Sequence, residues 1–276
     1  MVATTSLSPI GVFDSGVGGL SVLRAIREQL PAEDVLYLAD QAHVPYGPRS
    51  MAEVRDFAEG ITRFLLAQGA KLIVVACNTA SAAALYYLRE TFPEIPFVGM
   101  EPAVKPAAEH TDSGVVGVLA TPATFQGALY ASVIERFAKG VKILQHTCPG
   151  LVQQIERGDL DSPQTRAILE TALRPMLERG MDTVVLGCTH YPFVIPVIQS
   201  IVDDGVRVID PAPAVARQVG RLLDAHQMAR QEGAGRIRFF TSGDAQALRR
   251  LLPTLLGERG DVVTVRWWDG RQVEIA

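Results

Sequence analysis

Short apolar runs alternate with amphipathic stretches along this chain. Runs rich in Val, Ile, Leu and Phe predict strands at residues 10–13, 35–39, 72–76, 97–99, 115–119, 142–145, 183–187, 206–209, 236–240 and 262–267. Helical stretches lie between most of these runs, at residues 20–28, 51–68, 81–90, 122–137, 163–178 and 212–226. Because apolar strands alternate with helices, the pattern predicts an α/β protein with mainly parallel sheets covered by helices.

Two parts of the chain repeat the same order of features. Residues 9–15 and 114–121 each form a Gly-containing strand that ends in a polar residue and opens a helix. In both parts a strand followed by a cysteine comes later, at Cys77 and Cys188, after a similar length of chain. The repeat predicts two pseudosymmetric α/β domains with the active site in the cleft between them. One continuous sheet is the alternative.

The boundaries of these domains follow from where the chain crosses between the two repeated parts. We expect the first domain to be discontinuous, comprising residues 1–99 and 208–276. The second domain then comprises residues 100–207.

A glycine-rich loop follows the first predicted strand. Its sequence, DSGVGGLS at residues 14–21, precedes a helix, and Asp40 closes the next strand, as in dinucleotide-binding proteins. Ser21 replaces the third glycine of that motif, so the nucleotide signal is weak. The simplest interpretation is a tight turn that needs glycine. Asp14 and Ser15 would then stand at the strand tip, beside helix amides that can hold a carboxylate as well as a phosphate.

Composition excludes several classes of protein. The chain has 276 residues, of which 48% are hydrophobic and 20% charged, so it can bury a sizeable core. A net charge of -4 gives no reason to expect a nucleic acid ligand. Residues 1–9 lack the features of a signal peptide, and no apolar run approaches the roughly 20 residues that cross a bilayer. We therefore expect a cytoplasmic protein without a membrane partner.

Cys77 and Cys188 each follow a β-branched apolar run and precede small polar residues. Two opposed thiols suit a reaction in which one takes a proton from a stereocentre and the other delivers a proton to the opposite face. A free thiol has a pKa of about 8.5, so the base needs assistance. His190 can assist Cys188, and Asp14 can assist Cys77. Each cysteine taken alone could instead be a buried structural residue, and the histidine a helix cap.

Four ordered motifs together resemble the glutamate racemase family: DSGVGG at 14–19, PYG at 45–47, ACNTA at 76–80 and GCTHYP at 187–192. The resemblance covers nearly the whole chain. It implies interconversion of L- and D-glutamate by two thiols without a cofactor or metal, which supplies D-glutamate for peptidoglycan. It also implies a homodimer.

The resemblance further implies roles for individual residues. Cys77 and Cys188 correspond to the two catalytic acid/bases, assisted by Asp14 and His190. The residues that match substrate contacts or lie near the site are Asp14, Ser15, Tyr46, Gly47, Asn78, Thr79, Thr121, Thr124, Thr189, His190 and Glu156. Glu156 ends a family-like stretch that starts at Cys148, and Cys148 itself is expected to be structural.

Two other functions remain open at this point. The first is a two-cysteine racemase or isomerase of aspartate or another small carboxylate. Aspartate racemase relatives usually carry an acidic residue where this chain has His190, which disfavours that alternative. The second is an interaction module that binds DNA gyrase, as some glutamate racemases are thought to do.

Overall fold

The computed structural model describes residues 5–276. The expectation that residues 1–9 are not a signal peptide therefore falls in part outside the described residues. The strands are β1 (Ile10–Asp14), β2 (Val35–Ala39), β3 (Leu72–Val75), β4 (Phe97–Gly99), β5 (Val115–Ala120), β6 (Lys142–His146), β7 (Thr183–Gly187), β8 (Arg207–Ile209), β9 (Ile237–Thr241), β10 (Val262–Trp268) and β11 (Gln272–Ile275). The α-helices are α1 (Leu20–Gln29), α2 (Met51–Ala67), α3 (Asn78–Thr91), α4 (Val104–His110), α5 (Pro122–Gln126), α6 (Ala128–Phe137), α7 (Leu151–Glu156), α8 (Pro163–Leu177), α9 (Ile195–Val202), α10 (Ala212–Ala225) and α11 (Ala245–Leu255). A 3-10 helix, Tyr191–Val194, precedes α9.

The strands form two separate sheets. The first has seven strands in the order β11-β10-β9-β2-β1-β3-β4, and the second has four in the order β6-β5-β7-β8. Neighbouring strands are parallel except β10 and β11. The order β2-β1-β3-β4 in the first sheet repeats as β6-β5-β7-β8 in the second. The predicted α/β class with two pseudosymmetric halves is confirmed, and the alternative of one continuous sheet is wrong.

The central strands are apolar because helices cover both of their faces. All five residues of β1 are buried, and β1 pairs with β2 on one side and β3 on the other. Buried residues on the α1 side of the first sheet continue into the second sheet, so one core spans both halves. Within residues 5–276 no helix is both long and apolar enough to cross a membrane.

Two predicted helices differ from the structure for local reasons. Helix α3 begins at residue 78 rather than 81, because the Cys77 side chain caps it by accepting a hydrogen bond from Ala80 N. The helix predicted at 122–137 is two helices, α5 and α6, because Gly127 has an extended backbone. A Cβ at Gly127 would lie 2.8 Å from Ala82 Cβ, so close packing also requires glycine there. Helices α4, α7, α9 and α11 and strand β11 were not predicted.

Candidate active site

The carboxyl ends of the two sheets meet around one small cavity. Both halves contribute to its lining, which consists of Ser15, Pro45, Tyr46, Gly47, Cys77, Asn78, Thr79, Thr121, Val152, Cys188, Thr189 and His190. Its volume of about 20 Å³ has room for roughly one water molecule, so a ligand as large as an amino acid can enter only if the two halves move apart. A wider groove of about 930 Å³ lies between α4, α6 and α10 and contains none of the predicted site residues. The thiols identify the small cavity as the candidate site.

Cys77 stands between β3 and α3, at the positive end of the helix. Its Sγ accepts a hydrogen bond from Ala80 N at 3.5 Å and lies 4.0 Å from Ser15 Oγ. Burial raises the pKa of the Cys77 thiol well above its usual range, and the nearby Asp14 carboxylate raises it further. Cys77 therefore carries its proton at neutral pH, which suits a proton donor.

Cys188 follows β7 and has a different partner. Its Sγ lies 3.7 Å from Nδ1 of His190, whose Nε2 lies 2.6 Å from Oε1 of Glu156. Burial alone would lower the pKa of His190, but its hydrogen bonds to Cys188 and Glu156 raise that pKa well above the usual range. Burial would raise the pKa of Glu156, but the hydrogen bond and the charge of His190 lower it overall. The His190 imidazolium thus lies beside the sulphur that becomes negative when Cys188 loses a proton.

Asp14 ends β1 and is fully buried beside the cavity. Its Oδ2 accepts a hydrogen bond from Gly16 N at 2.8 Å, and its Oδ1 accepts one from Thr189 Oγ1 at 3.2 Å. Burial raises the pKa of Asp14, although the positive charge of His190 opposes that shift. Its hydrogen bond from Thr189 therefore links the two halves, whereas its effect on Cys77 is exerted through charge.

Polar groups on both sides of the cavity can bind a small polar substrate. Thr79 Oγ1 and Thr121 Oγ1 lie 2.8 Å apart across the cleft, and Thr124 Oγ1 lies 2.9 Å behind Thr121 Oγ1. Both polar atoms of the Asn78 side chain are buried without a hydrogen-bond partner within residues 5–276. Such an orphaned amide is costly unless a ligand satisfies it.

The loop after β2 forms another wall of the cavity. The Tyr46 hydroxyl donates a hydrogen bond of 2.6 Å to Asp40 Oδ2, which fixes the ring against the site. Asp40 Oδ1 also accepts a hydrogen bond of 2.7 Å from Trp267 Nε1. Gly47 packs so closely on Thr121 that a Cβ there would lie 3.1 Å from Thr121 Cβ. Asp40 thus anchors a loop that reaches the other half of the molecule.

Two side chains from the second half pack against the glycine-rich loop after β1. Val17 N donates a hydrogen bond of 2.7 Å to Glu156 Oε1. A Cβ at Gly16 would lie 2.6 Å from Glu156 Cδ, and a Cβ at Gly18 would lie 2.6 Å from His190 Cε1. These two glycines are needed because Glu156 and His190 lie directly against the loop backbone.

The structure gathers the predicted site residues in one place but in two layers. Ten line the cavity directly: Ser15, Tyr46, Gly47, Cys77, Asn78, Thr79, Thr121, Cys188, Thr189 and His190. Asp14, Thr124 and Glu156 lie behind them and contact lining residues. Cys148 is buried away from the cavity lining, and burial raises its pKa to about 12.

Sequence reasoning did not name Pro45 and Val152 in the lining as site residues, or Gln41 behind it. Gln41 Nε2 donates a hydrogen bond of 3.1 Å to Glu156 Oε2. Gln41 follows Asp40 at the carboxyl end of a parallel strand, the edge at which ligand sites form, and that position was a usable signal. Val152 carried none, because an apolar residue in a helix is usually part of the core.

Comparison with known proteins places this site in a family. The sequence profile of the family described as Asp/Glu/hydantoin racemase matches residues 10–219. The glutamate racemase of Ectopseudomonas mendocina is 54% identical over 93% of this chain and 98% of its own length. A crystal structure of a glutamate racemase isoform from Bacillus anthracis superposes with a TM-score of 0.84 at 34% identity, over 94% of this chain and 97% of that one. Escherichia coli glutamate racemase, solved with L-glutamate and the activator UDP-MurNAc-Ala, gives a TM-score of 0.81 at 34% identity, over 93% of this chain and 97% of that one.

Proposed function

Because this chain belongs to the Asp/Glu/hydantoin racemase family, we propose that it is a glutamate racemase, an isomerase that interconverts L- and D-glutamate. The single observation that carries the proposal is that Cys77 and Cys188, from two pseudosymmetric halves, line one cavity. Relatives named glutamate racemase, 54% identical in sequence, support glutamate as the substrate. By the same reasoning, the product D-glutamate serves peptidoglycan synthesis.

The reaction follows from two thiols on opposite faces of a stereocentre. One cysteine, as thiolate, takes the α-hydrogen of glutamate as a proton and becomes a thiol. The electron pair of the broken C–H bond remains on the substrate and is shared with the α-carboxylate. The other thiol then gives its proton to the opposite face, the pair forms the new C–H bond, and that cysteine is left as the thiolate. No redox change occurs, and the pair of thiols needs no resident cofactor.

The surrounding residues support these proton transfers in different ways. We assign His190 and Glu156 to Cys188, because they keep a positive charge beside its sulphur. Asp14 places a negative charge close to the cavity, where it can favour the protonated amino group of the substrate and so acidify the α-proton. Hydroxyl and amide groups then bind the two carboxylates: Ser15, Asn78, Thr79, Thr121 and Thr189.

The remaining aspects of the function extend the same proposal. We propose that the two halves are domains with boundaries at residues 1–99 plus 208–276 and 100–207, the second crossing lying within β8. The protein is proposed to act in the cytoplasm as a homodimer, without nucleic acid or membrane. Light scattering during size-exclusion chromatography tests the dimer, and a mass of one chain would contradict it.

Circular dichroism of L-glutamate and, separately, L-aspartate tests the function directly. In metal-free buffer without pyridoxal phosphate, the glutamate signal should decay to zero and the aspartate signal should persist. Cys77→Ala and Cys188→Ala should abolish the decay. Cys148→Ala is the matched control, because its thiol lies outside the cavity, and it should retain turnover. A stable glutamate signal with the unaltered protein would refute the proposed function.

A further inference from the structure

We propose that Gln41 is a positioning residue for racemisation: its side-chain amide holds Glu156 across the cleft and thereby keeps His190 directed at Cys188. The inference rests on the proposed function, since it concerns proton transfer at Cys188. The contact itself lies within the protein and can be tested without substrate.

Hydrogen bonds on the far side of Gln41 fix the orientation of its amide. Thr241, at the end of β9 and paired with Ala39 of β2, donates a hydrogen bond of 2.9 Å from its Oγ1 to Gln41 Oε1. Gly243 N donates to the same Thr241 Oγ1 at 3.0 Å, so the hydroxyl proton of Thr241 is directed at Gln41. With its carbonyl oxygen occupied, Gln41 presents its NH2 group to Glu156 Oε2 at 3.1 Å.

The two oxygens of the Glu156 carboxylate have separate partners. Oε1 lies 2.7 Å from Val17 N and 2.6 Å from His190 Nε2. Among residues 5–276, Gln41 is the partner of Oε2. The Glu156 side chain is only 12% exposed, so water cannot readily replace that donor. Without Gln41, Oε2 has lost its donor. The carboxylate can then rotate and place either oxygen against Val17 N and His190 Nε2.

The contact also crosses between the two halves of the molecule. Gln41 and Val17 follow strands of the seven-stranded sheet, whereas Glu156 and His190 belong to the half that carries Cys188. The titratable groups that face Glu156 are His190, Asp14 and Tyr37. Of these only His190 forms a hydrogen bond with it, so the orientation of the carboxylate is transmitted to Cys188 through His190.

Gln41→Met tests the inference, because methionine has a similar length and volume but cannot donate a hydrogen bond. We expect kcat/KM to fall about tenfold, which corresponds to about 1.4 kcal/mol. The fall is the same for both enantiomers, since they have equal free energies in water. Glutamate deuterated at Cα separates the two half-reactions. A weaker Cys188 step raises the deuterium isotope effect on kcat/KM for the enantiomer that Cys188 deprotonates and lowers it for the other.

Three further variants calibrate this measurement. His190→Asn should move the two isotope effects in the same directions as Gln41→Met. Thr241→Val leaves Gln41 in place without its fixed orientation, and it should give a smaller effect of the same sign. Gln29→Leu is the matched control, because its amide bonds to Pro213 O on the surface, away from the cavity, and it should change neither isotope effect. An equal shift for both enantiomers, or none, in Gln41→Met would overturn the inference.

NMR titration of the histidine rings supplies a readout that needs no turnover. The chain has five histidines, and the His190→Asn spectrum assigns the signal. We expect the pKa of His190 to fall toward its ordinary value in Gln41→Met, because Glu156 no longer holds the ring firmly. The ring signals of His43, in the same loop, should stay unchanged and so show that the loop is intact. An inactive unaltered protein would refute the proposed function alone, whereas an unchanged His190 titration would refute the role of Gln41.

Discussion

Gly16→Ala offers a direct test of how closely the two halves meet. Gly16 lies outside the left-handed backbone region, so alanine fits its backbone without strain. The added Cβ would instead lie 2.6 Å from Glu156 Cδ. Ordinary carbon contacts are about 3.5 Å or longer, so the carboxylate must retreat by about 1 Å. The whole cost of the substitution therefore falls on Glu156.

The magnitude follows from the hydrogen bonds that such a retreat disturbs. Glu156 is held by Val17 N at 2.7 Å, His190 Nε2 at 2.6 Å and Gln41 Nε2 at 3.1 Å. A hydrogen bond to a charged group contributes about 1.5–3 kcal/mol, and a shift of about 1 Å breaks at least one of them. We expect a loss of about 2 kcal/mol in transition-state stabilisation, or about 30-fold in kcat/KM.

A double-mutant cycle with circular dichroism of glutamate measures this coupling. Glu156→Ala removes the group that the new methyl meets, so Gly16→Ala should cost almost nothing further in that background. Gly205→Ala is the control, because no atom of residues 5–276 lies within 4 Å of its added Cβ, and it should behave like the unaltered protein. If Gly16→Ala lowers kcat/KM by the same factor with and without the Glu156 side chain, the reasoning is refuted.

Three further predictions concern the orphaned amide, the charged histidine and a buried ion pair. Asn78→Leu should raise the free energy of unfolding by about 1–3 kcal/mol, because it removes a buried amide that has no partner within residues 5–276. The same substitution should lower kcat/KM at least about tenfold. Thermal unfolding and the racemase assay measure the two effects, and lower stability with full activity would contradict the prediction. Hydrogen bonds to Cys188 and Glu156 outweigh burial and raise the pKa of His190, so its stabilising charge is fully present below its unfolded pKa of about 6.5 and is lost as the pH rises through the folded pKa. Urea unfolding across this range should show the stability gap between the unaltered protein and His190→Asn closing at alkaline pH, and a constant gap would exclude that role. Lys71→Met should lower the free energy of unfolding by about 3–5 kcal/mol. The reason is that the buried Glu33 carboxylate, 2.6 Å from Lys71 Nζ, loses the positive charge that pairs with it. Urea unfolding measures the loss, and a loss below about 1 kcal/mol would show that the ion pair is dispensable.

The sequence predicted those parts of the fold that depend on local patterns. Apolar runs located the strands of both sheets, because parallel strands covered on both faces are apolar throughout. The short helices α4, α5 and α7 were missed or merged, because a few residues carry too little helical periodicity. Strand β11 was missed because its pairing with β10 depends on a tight turn rather than on burial.

The sequence indicates candidate site residues where residue type alone suggests chemistry. Cys77, Cys188 and His190 follow strand ends and were named from those positions, and the structure brings all three to one cavity, while their roles stay predictions. The glycine-rich loop was harder, because its spacing fits both a nucleotide site and a tight turn. The contact that explains this loop joins residues far apart in the sequence. Ser21 stands where a nucleotide motif has glycine, and its hydroxyl donates a hydrogen bond of 2.9 Å to the carbonyl of Thr189. Contacts of this kind depend on the tertiary fold and leave no local pattern.

The loop at residues 14–19 has the amides and glycines of an anion-binding turn, and the anion it holds is the Glu156 carboxylate of its own chain. A tethered anion acts at a high effective concentration, because the entropic cost of bringing it to the loop is met when the chain folds. A free phosphate would have to compete with that intramolecular partner at every encounter. The loop thus already holds an anion of its own chain, and the same carboxylate oxygen contacts His190, the neighbour of Cys188.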